Sequence, residues 1–471
     1  MTRQKIRRVA VIGAGVSGVV AAGHLLQSEI DVVVFERNEE AGGVWLYDER
    51  QPLEPTYPSV KASVADGTGI SSHSDEENLV LQHAPPGPCY VSLQNNVSTP
   101  LMKTKLSDWP AGTPDFVSHP IMKQYIQDIS QKTGVELSTI YGARVTDVVK
   151  SGRLWKVTWS SLRKNSLTKI ESYSQVLEFD AVVVASGHYH APRIPDIPGL
   201  SAAKARWPHY IMHSKGYRTP DRFRDNNVLL IGGGVSSIDI ARDIGPTART
   251  VYQSTRNGEF DLAPSMLPDN GTRVSEISHF EFDTHGEKST GRLPLVVHLQ
   301  SGQKLCDIDD IIICTGYHIT LPFLRQYHDD ATAPEDASDS ILVTDGMQVH
   351  NLHKDIFYIP DPTLAFIGVP YYTATFSLFE FQAIALAAVF SEVAPLPTDM
   401  RSEYLDKVRR IGYGRNFHSL KDGEEAYVRD LMEWVNVSRR RYGLALIEGH
   451  TPAWHRAKAA QRERIKAFFG Q

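Results

Sequence analysis

The chain has 471 residues, 41% of them hydrophobic and 22% charged, with a formal net charge of −6. That length exceeds one average domain, so two or three are expected, and the composition is that of an ordinary soluble globular protein. The acidic balance gives no basis for a nucleic-acid surface. Three scattered cysteines, Cys89, Cys306 and Cys314, form neither a disulfide framework nor a zinc pattern, which suits a reducing, cytoplasmic compartment.

Lys5, Arg7 and Arg8 precede an apolar stretch from Val9 to Leu26 and so imitate a signal peptide. Gly13, Gly15 and Gly18 interrupt that stretch at a spacing with its own explanation. Arg8 to Gly13 reads as a buried strand, Val16 to Gln27 as a helix, and Asp31 to Glu36 as a second strand. A Gly-x-Gly-x-x-Gly turn between strand and helix is the dinucleotide fingerprint. Its first glycine permits the tight turn, its second lets a pyrophosphate approach, and its third lets helix and strand pack closely. The anion then lies on the helix N-terminus. Glu36, ending the second strand, accepts from ribose hydroxyls and repels a 2′-phosphate, so this site wants FAD or NAD. Gln51 to Pro100 reads as surface loops, and Phe179 to Ala185 as another buried strand ending at Ser186 and Gly187.

The pattern then restarts. Asn227 to Ile231 is a strand leading into Gly232, Gly233, Gly234, Val235, Ser236 and Ser237, with a helix after it and a strand from Thr250 to Gln253. Ser237 stands where the third glycine is expected, a change that keeps the turn and loosens the helix slightly. The next residues are Ser254, Thr255 and Arg256, with no acid at the ribose position. Hydroxyls and a guanidinium suit a 2′-phosphate, so this unit prefers NADPH. The bland alternative is Arg256 as a solvated surface charge. Asp309 to Cys314 is one more strand, and Leu364 to Gly368 resembles a last strand of the first unit. The fold class is therefore α/β, with two three-layer Rossmann-like units, the NADPH unit inserted into the FAD unit. Boundaries fall at 1–200 and 325–471 for the FAD-binding domain and 201–324 for the NADPH-binding domain. Leu378 to Ala394 holds Glu380, Gln382 and Glu392, so it reads as a buried helix and not a membrane span. Trp454 to Phe469 mixes Arg456, Lys458, Arg462, Arg464 and Lys466 with aromatics. Such a helix packs on its own domain with charges solvated, or lies on a membrane surface; the first reading is preferred.

Two nucleotide sites of opposite phosphate preference imply electron flow from NADPH to FAD. Passing those electrons to a disulfide would need a cysteine pair at short spacing, which is missing. Gly42-Gly43-Val44-Trp45, Tyr90 to Asn96 followed by Met102, Asp108-Trp109-Pro110, His119-Pro120, Ala185 to Tyr189 with Pro192 and Pro195, and Cys314 to Tyr317 with Pro322-Phe323-Leu324 together resemble the flavin-containing monooxygenases (class B flavoprotein monooxygenases), in order and over nearly the whole chain. The family's FxGxxxHxxx(Y/F) sequence is present in part: Trp207 and His209 replace the usual phenylalanine and glycine, while His213 and Tyr217 match. Tyr217 is similar to the heteroatom-oxidising branch, because related Baeyer–Villiger enzymes carry tryptophan there. The resemblance is to the soluble microbial or fungal type, without the apolar C-terminal anchor of the animal members.

The resemblance implies a monooxygenase that reduces FAD with NADPH, takes up O₂ as a C4a-hydroperoxyflavin and transfers one oxygen to a nucleophilic nitrogen or sulfur of a small molecule, such as a secondary metabolite. It implies Asn96 as the catalytic residue; the competing reading is a loop asparagine capping a turn. The residues expected at the cofactors are Gly13, Gly15, Gly18, Glu36, Arg37, Gly43, Trp45, Asn96 and Met102 for FAD, and Ser214, Gly232, Gly234, Ser236, Ser237, Ser254, Arg256, Thr315 and Gly316 around the coenzyme and the returning linker. His188, His190, His209 and His213 lack a carboxylate or cysteine at ligand spacing, and the reaction needs no metal. The expected partners are the substrate and O₂, with no nucleic acid, no integral membrane segment, and a monomer or homodimer. Rival readings are a Baeyer–Villiger oxygenase and a catalytically silent nucleotide-binding protein.

Overall fold

The structure, a computed structural model, describes residues 5–65, 75–164, 169–282 and 293–469. Strand β1 (Arg8–Ile12), helix α1 (Val16–Gln27) and strand β2 (Asp31–Phe35) form as the apolar runs require. β1 lies between β2 and the Ala181–Val184 strand, parallel to both. The Leu364–Phe366 strand pairs parallel to Ala181–Val184, so the two ends of the chain share one seven-stranded sheet. A buried parallel centre needs apolar side chains on both faces, which the runs of valine and isoleucine supply.

A second sheet of five parallel strands is built from 211–213, 227–231, 250–254, 271–274 and 310–313. The α/β class, with two such units and the second between parts of the first, is borne out. The two crossing segments pair antiparallel to each other, Tyr317 opposite Pro192 and His318 opposite Ala191. Arg193 N–H donates to Gly316 O at 2.9 Å.

Two expectations need correction. Phe179 to Ala185 is not one strand: Ile170–Phe179 belongs to an antiparallel meander with Arg144–Ser151 and Leu154–Lys164, and Ala181–Val184 to the parallel sheet. The break is at Asp180, whose carboxylate accepts from Arg7 and Arg8 N–H at 2.9 and 3.0 Å and stitches the corner to the start of β1. The stretch read as loops also holds a helix, Asp75–His83, whose acidic first residues favour the helix N-terminus; part of the stretch, 66–74, lies outside the described residues.

The Thr375–Phe390 helix is buried on all sides and packs on α1. Its polar residues are satisfied, as burial demands. Glu380 accepts from Lys105 and Leu106 N–H at 2.6 and 3.0 Å, and Gln382 from Gly368 N–H at 3.1 Å. Among the described residues no helix is long and apolar enough to cross a membrane. The Pro452–Phe469 helix packs on its own lobe through buried Trp454, a Lys458–Glu424 ion pair at 2.9 Å and an Arg464–Asp115 pair at 2.6 Å; the Lys466 side chain lies outside the described residues.

Candidate functional site

Both glycine turns are built alike. Gly13 has φ +105° and Gly232 φ +122°, and a Cβ on either would sit 2.6 Å from Ala185 O or 2.5 Å from Cys314 O, the carbonyls that follow the neighbouring strands. Only glycine fits such a position. Gly13 N–H donates to Phe35 O and Gly232 N–H to Ser254 O, each at 2.8 Å. α1 and the Val235–Ile244 helix start from extended Gly15 and Gly234, neither start carrying a side-chain cap. Their first-turn amides therefore face the cavity ahead of them, the arrangement that binds a pyrophosphate. A Cβ on Gly234 would meet nothing within 4 Å.

Gly42 and Gly43 lie against the first turn: Gly42 N–H donates to Ala14 O at 3.1 Å, and a Cβ on Gly43 would come 2.8 Å from Gly15 Cα. Glu36 is buried at the end of β2. Its Oε1 accepts from the Asn38 backbone and side chain at 2.8 Å each, and its Oε2 from Ala14 N–H at 2.7 Å. A carboxylate offers about four acceptor positions, so one remains on Oε2, beside the turn, for a ribose hydroxyl. These residues fit an adenine dinucleotide without a 2′-phosphate.

One cavity of about 1750 Å³ is lined by both turns, Glu36, Arg37, Gly43, Trp45, Asn96, Met102, Ser214, Ser236, Ser254, Arg256, Thr315 and Gly316. Of the expected cofactor residues, Gly18 and Ser237 are not in its wall. A Cβ on Gly18 would lie 1.8 Å from Gly13 O, so its place is helix packing behind the turn. Ser237 is fully buried and its Oγ accepts from Gln253 Nε2 at 2.8 Å. Ser254 Oγ donates to Ser275 O at 2.9 Å, which leaves its lone pairs but not its proton for a ligand. Arg37 bonds His190 Nδ1 at 2.8 Å. Arg256 is 73% exposed, with Glu276 4.0 Å away.

Two adjacent asparagines differ completely. Asn95 is buried and locked, its Nδ2 donating to Val97 O and Asp115 O at 2.7 and 2.9 Å and its Oδ1 accepting from Val117 N–H at 2.5 Å. Asn96, next to this pinned residue, is exposed and lines the cavity.

The four histidines considered as metal ligands are not gathered into one group; among the described residues the trio within ligand reach of one another is His279, Glu281 and His298, on a hairpin away from the cavity. His213 is buried and pushed down to about 3 by desolvation, then by Lys215, against its bond to Gly316 O; it is a neutral Nε2 donor. Its neighbour Tyr217 donates to Asp243 and packs edge-on against Tyr90. Asp239 lines the cavity from the second helix, pushed up to about 6 mainly by burial, with Tyr90 OH 3.5 Å away. Asp239, Arg193, Phe260, Tyr371 and Arg415 also line the cavity and have no motif that marks them in the sequence; only their contacts reveal them.

The family described as Flavin-binding monooxygenase-like matches residues 85–279, and the NAD(P)-binding Rossmann-like domain matches 11–60. The chain is 53% identical to the flavin-containing monooxygenase ustF2 of Aspergillus flavus, with 99% of each chain covered. It is 46% identical to ustF1 of the same organism, over 98% of this chain and 94% of that one. Among solved structures, the S-allyl-L-cysteine S-oxygenase from Allium sativum covers 98% of this chain and 94% of its own at 26% identity, with a TM-score of 0.71.

Proposed function

We propose that this chain, which belongs to the flavin-containing monooxygenase family, transfers one oxygen atom of O₂ to a nucleophilic nitrogen or sulfur of a small organic molecule. The family makes it an FAD- and NADPH-dependent oxidoreductase acting on a small molecule with O₂. When bound, FAD supplies the redox chemistry, drawing electrons from NADPH to activate O₂; the second oxygen atom leaves as water. The chain binds, orients and excludes water. The turn at Gly13–Gly18 and Glu36 would hold FAD. The turn at Gly232–Ser237 and Arg256 would hold NADPH. The division at 201 and 324 belongs to the same reading, supported by the paired crossing segments at 191–192 and 317–318.

The observation that carries the proposal is Asn96, an exposed residue lining the cavity that both turns line, while Asn95 holds the loop. A neutral donor placed there stabilises developing negative charge on oxygen without supplying a strong acid. Preference for nitrogen or sulfur over a ketone is supported by Tyr217 and by similarity to a protein that oxygenates the sulfur of S-allyl-L-cysteine.

Asn96→Ala tests this. FAD content and reduction by NADPH should stay nearly unchanged. Loss of a hydrogen bond worth about 1–3 kcal/mol should shift the outcome about fivefold or more from oxygenated product to hydrogen peroxide. Unchanged coupling would return Asn96 to the role of a turn residue. In a screen with mass-spectrometric product detection, amines or thioethers should gain oxygen; turnover of ketones alone would overturn the heteroatom assignment.

A further inference from the structure

Arg415 begins the short turn Arg415–His418, far in sequence from either fingerprint. It lines the shared cavity, with its guanidinium 4.5 Å over the Phe260 ring. Phe260 in turn stacks on Tyr372 at 5.4 Å and 6°. A guanidinium whose face rests on an aromatic ring keeps its N–H groups directed outward from the edge, ready for a bidentate oxyanion. Among the described residues no carboxylate forms an ion pair with it.

Three features show a built site. The turn is fixed: Tyr371 N–H donates to His418 O at 3.2 Å and Leu420 N–H to Tyr371 O at 3.0 Å. Tyr371, also in the cavity wall, has a buried hydroxyl without a hydrogen-bond partner among the described residues. Tyr372 is held at φ +57°, a strained conformation for a bulky residue that concentrates at ligand-binding positions.

The location identifies the anion. Phe260 lies four residues past Arg256, and Asn416 Nδ2 donates to Glu259 Oε2 at 2.8 Å, tying the Arg415 turn to the loop that carries Arg256. The charges of Arg415 and Arg256 both bear on Arg193, which burial and these two hold below the usual arginine range. Three cations thus share one wall. Of the acids nearby, Glu259 accepts from Asn416, Glu276 lies 4.0 Å from Arg256, and Asp261 and Asp345 accept from Gly258 and Met347 N–H at 3.0 Å each.

We propose that Arg415 is a second anchor for the coenzyme's 2′-phosphate, reaching from the C-terminal part of the first lobe to the Arg256 loop of the second. This rests on the assignment of that loop to NADPH. A phosphate held by Arg256 and Arg415 bridges the two lobes, so bound coenzyme fixes their approach and closes the cavity to water. NADH, lacking the phosphate, has no such effect.

The test is calorimetric binding of 2′,5′-ADP and of 5′-AMP to the FAD-loaded protein, which needs no turnover. Arg415→Ala should raise the Kd for 2′,5′-ADP at least tenfold and that for 5′-AMP less than twofold. Arg415→Lys should recover part of the loss. FAD content and melting temperature control for folding, and Arg415→Gln serves if the alanine variant retains no flavin. Equal weakening of both ligands would make Arg415 structural and overturn the proposal. Unchanged 2′,5′-ADP binding would overturn it too; a raised KM for an acidic substrate in that case would identify the anion as a substrate carboxylate. Arg256→Ala separates the two assignments. Loss there with none at Arg415 defeats only this proposal, and loss at Arg415 with none at Arg256 moves the phosphate off the predicted loop.

Discussion

The two nucleotide turns run in the same register, residue for residue, from Gly13 and Gly232 to Glu36 and Thr255. Both first glycines bend under the carbonyl after the adjacent strand, and both helices start without a side-chain cap. Among the positions that differ, three bear on the ligand or the packing, and one shared arginine differs in its surroundings. Gly18 faces Ser237, Val20 faces Asp239, Glu36 faces Thr255, and Arg37, tied to His190, faces the exposed Arg256. The shared positions leave both helix starts open to the cavity, as a pyrophosphate seat requires. Under the proposed function, the differing ones set which dinucleotide sits there and how tightly the helix packs.

Exchanging the packing residue should give the largest effect. Gly18→Ser puts into the first turn what the second accepts, but there a Cβ lies 1.8 Å from Gly13 O. The helix must move off the sheet, at a cost of about 3 kcal/mol or more. The purified variant should lack FAD and melt well below the parent. Retained flavin with an unchanged melting curve would show that the two turns are more alike than their packing implies.

Asp239 comes next. Val20 is fully buried, while Asp239 turns a carboxyl into the cavity and is pushed from 3.8 up to about 6, chiefly by burial. Its folded pKa is raised, so the stability it contributes is present below its ordinary pKa and is lost as pH rises to about 6. Asp239→Asn removes that dependence. In urea titrations of the FAD-loaded protein, the variant's advantage should grow between about pH 4 and pH 6, reach up to about 3 kcal/mol, and stay flat above. A constant difference across that range would assign the carboxyl an ordinary pKa.

Arg256→Ala sharpens the ligand-choosing difference. Removing a charge-assisted contact of about 1.5–3 kcal/mol should lower kcat/KM for NADPH ten- to a hundredfold and leave NADH nearly untouched. Equal losses for both coenzymes would make Arg256 a structural residue.

Much of this comparison was legible in the sequence because short-range physics dictates it. Runs such as Val9–Ile12 and Val228–Ile231 have few choices but a buried parallel strand, and the glycine spacing needs only local sterics. The difference in charge between Glu36 and Thr255, on which the proposed choice of coenzyme rests, could be read directly. The rest depends on contacts between distant segments. Asp180 ends a strand because it caps the start of β1, and Asn95 differs from Asn96 in its bonds to Val97, Asp115 and Val117. Arg415 stands beside Phe260 with no pattern in either segment to announce it.

The smallest expected effect concerns Ser237, the residue that departs from the fingerprint. Behind the second turn, Gln253 donates to Ser237 Oγ at 2.8 Å and accepts from Arg273 Nε and Nη2 at 2.9 and 2.7 Å. Arg273 Nη2 also donates to Leu262 O at 2.6 Å, and Leu262 N–H to Gly233 O at 2.8 Å. The serine thus closes a chain of hydrogen bonds that returns to the turn, a brace with no counterpart at Gly18. Ser237→Ala leaves the Gln253 amide short of a partner in a fully buried place, which costs about 1 kcal/mol and no more than about 3. Since the turn's conformation is set by Gly232 and Ser237 lies outside the cavity wall, the Kd for NADPH should change less than threefold. Ser237→Gly, which restores the usual fingerprint, should be no better: it loses the same bond and empties a packed position. Urea unfolding of the FAD-loaded variants decides the matter, because a glycine variant more stable than the parent would make the serine a tolerated misfit and not a brace.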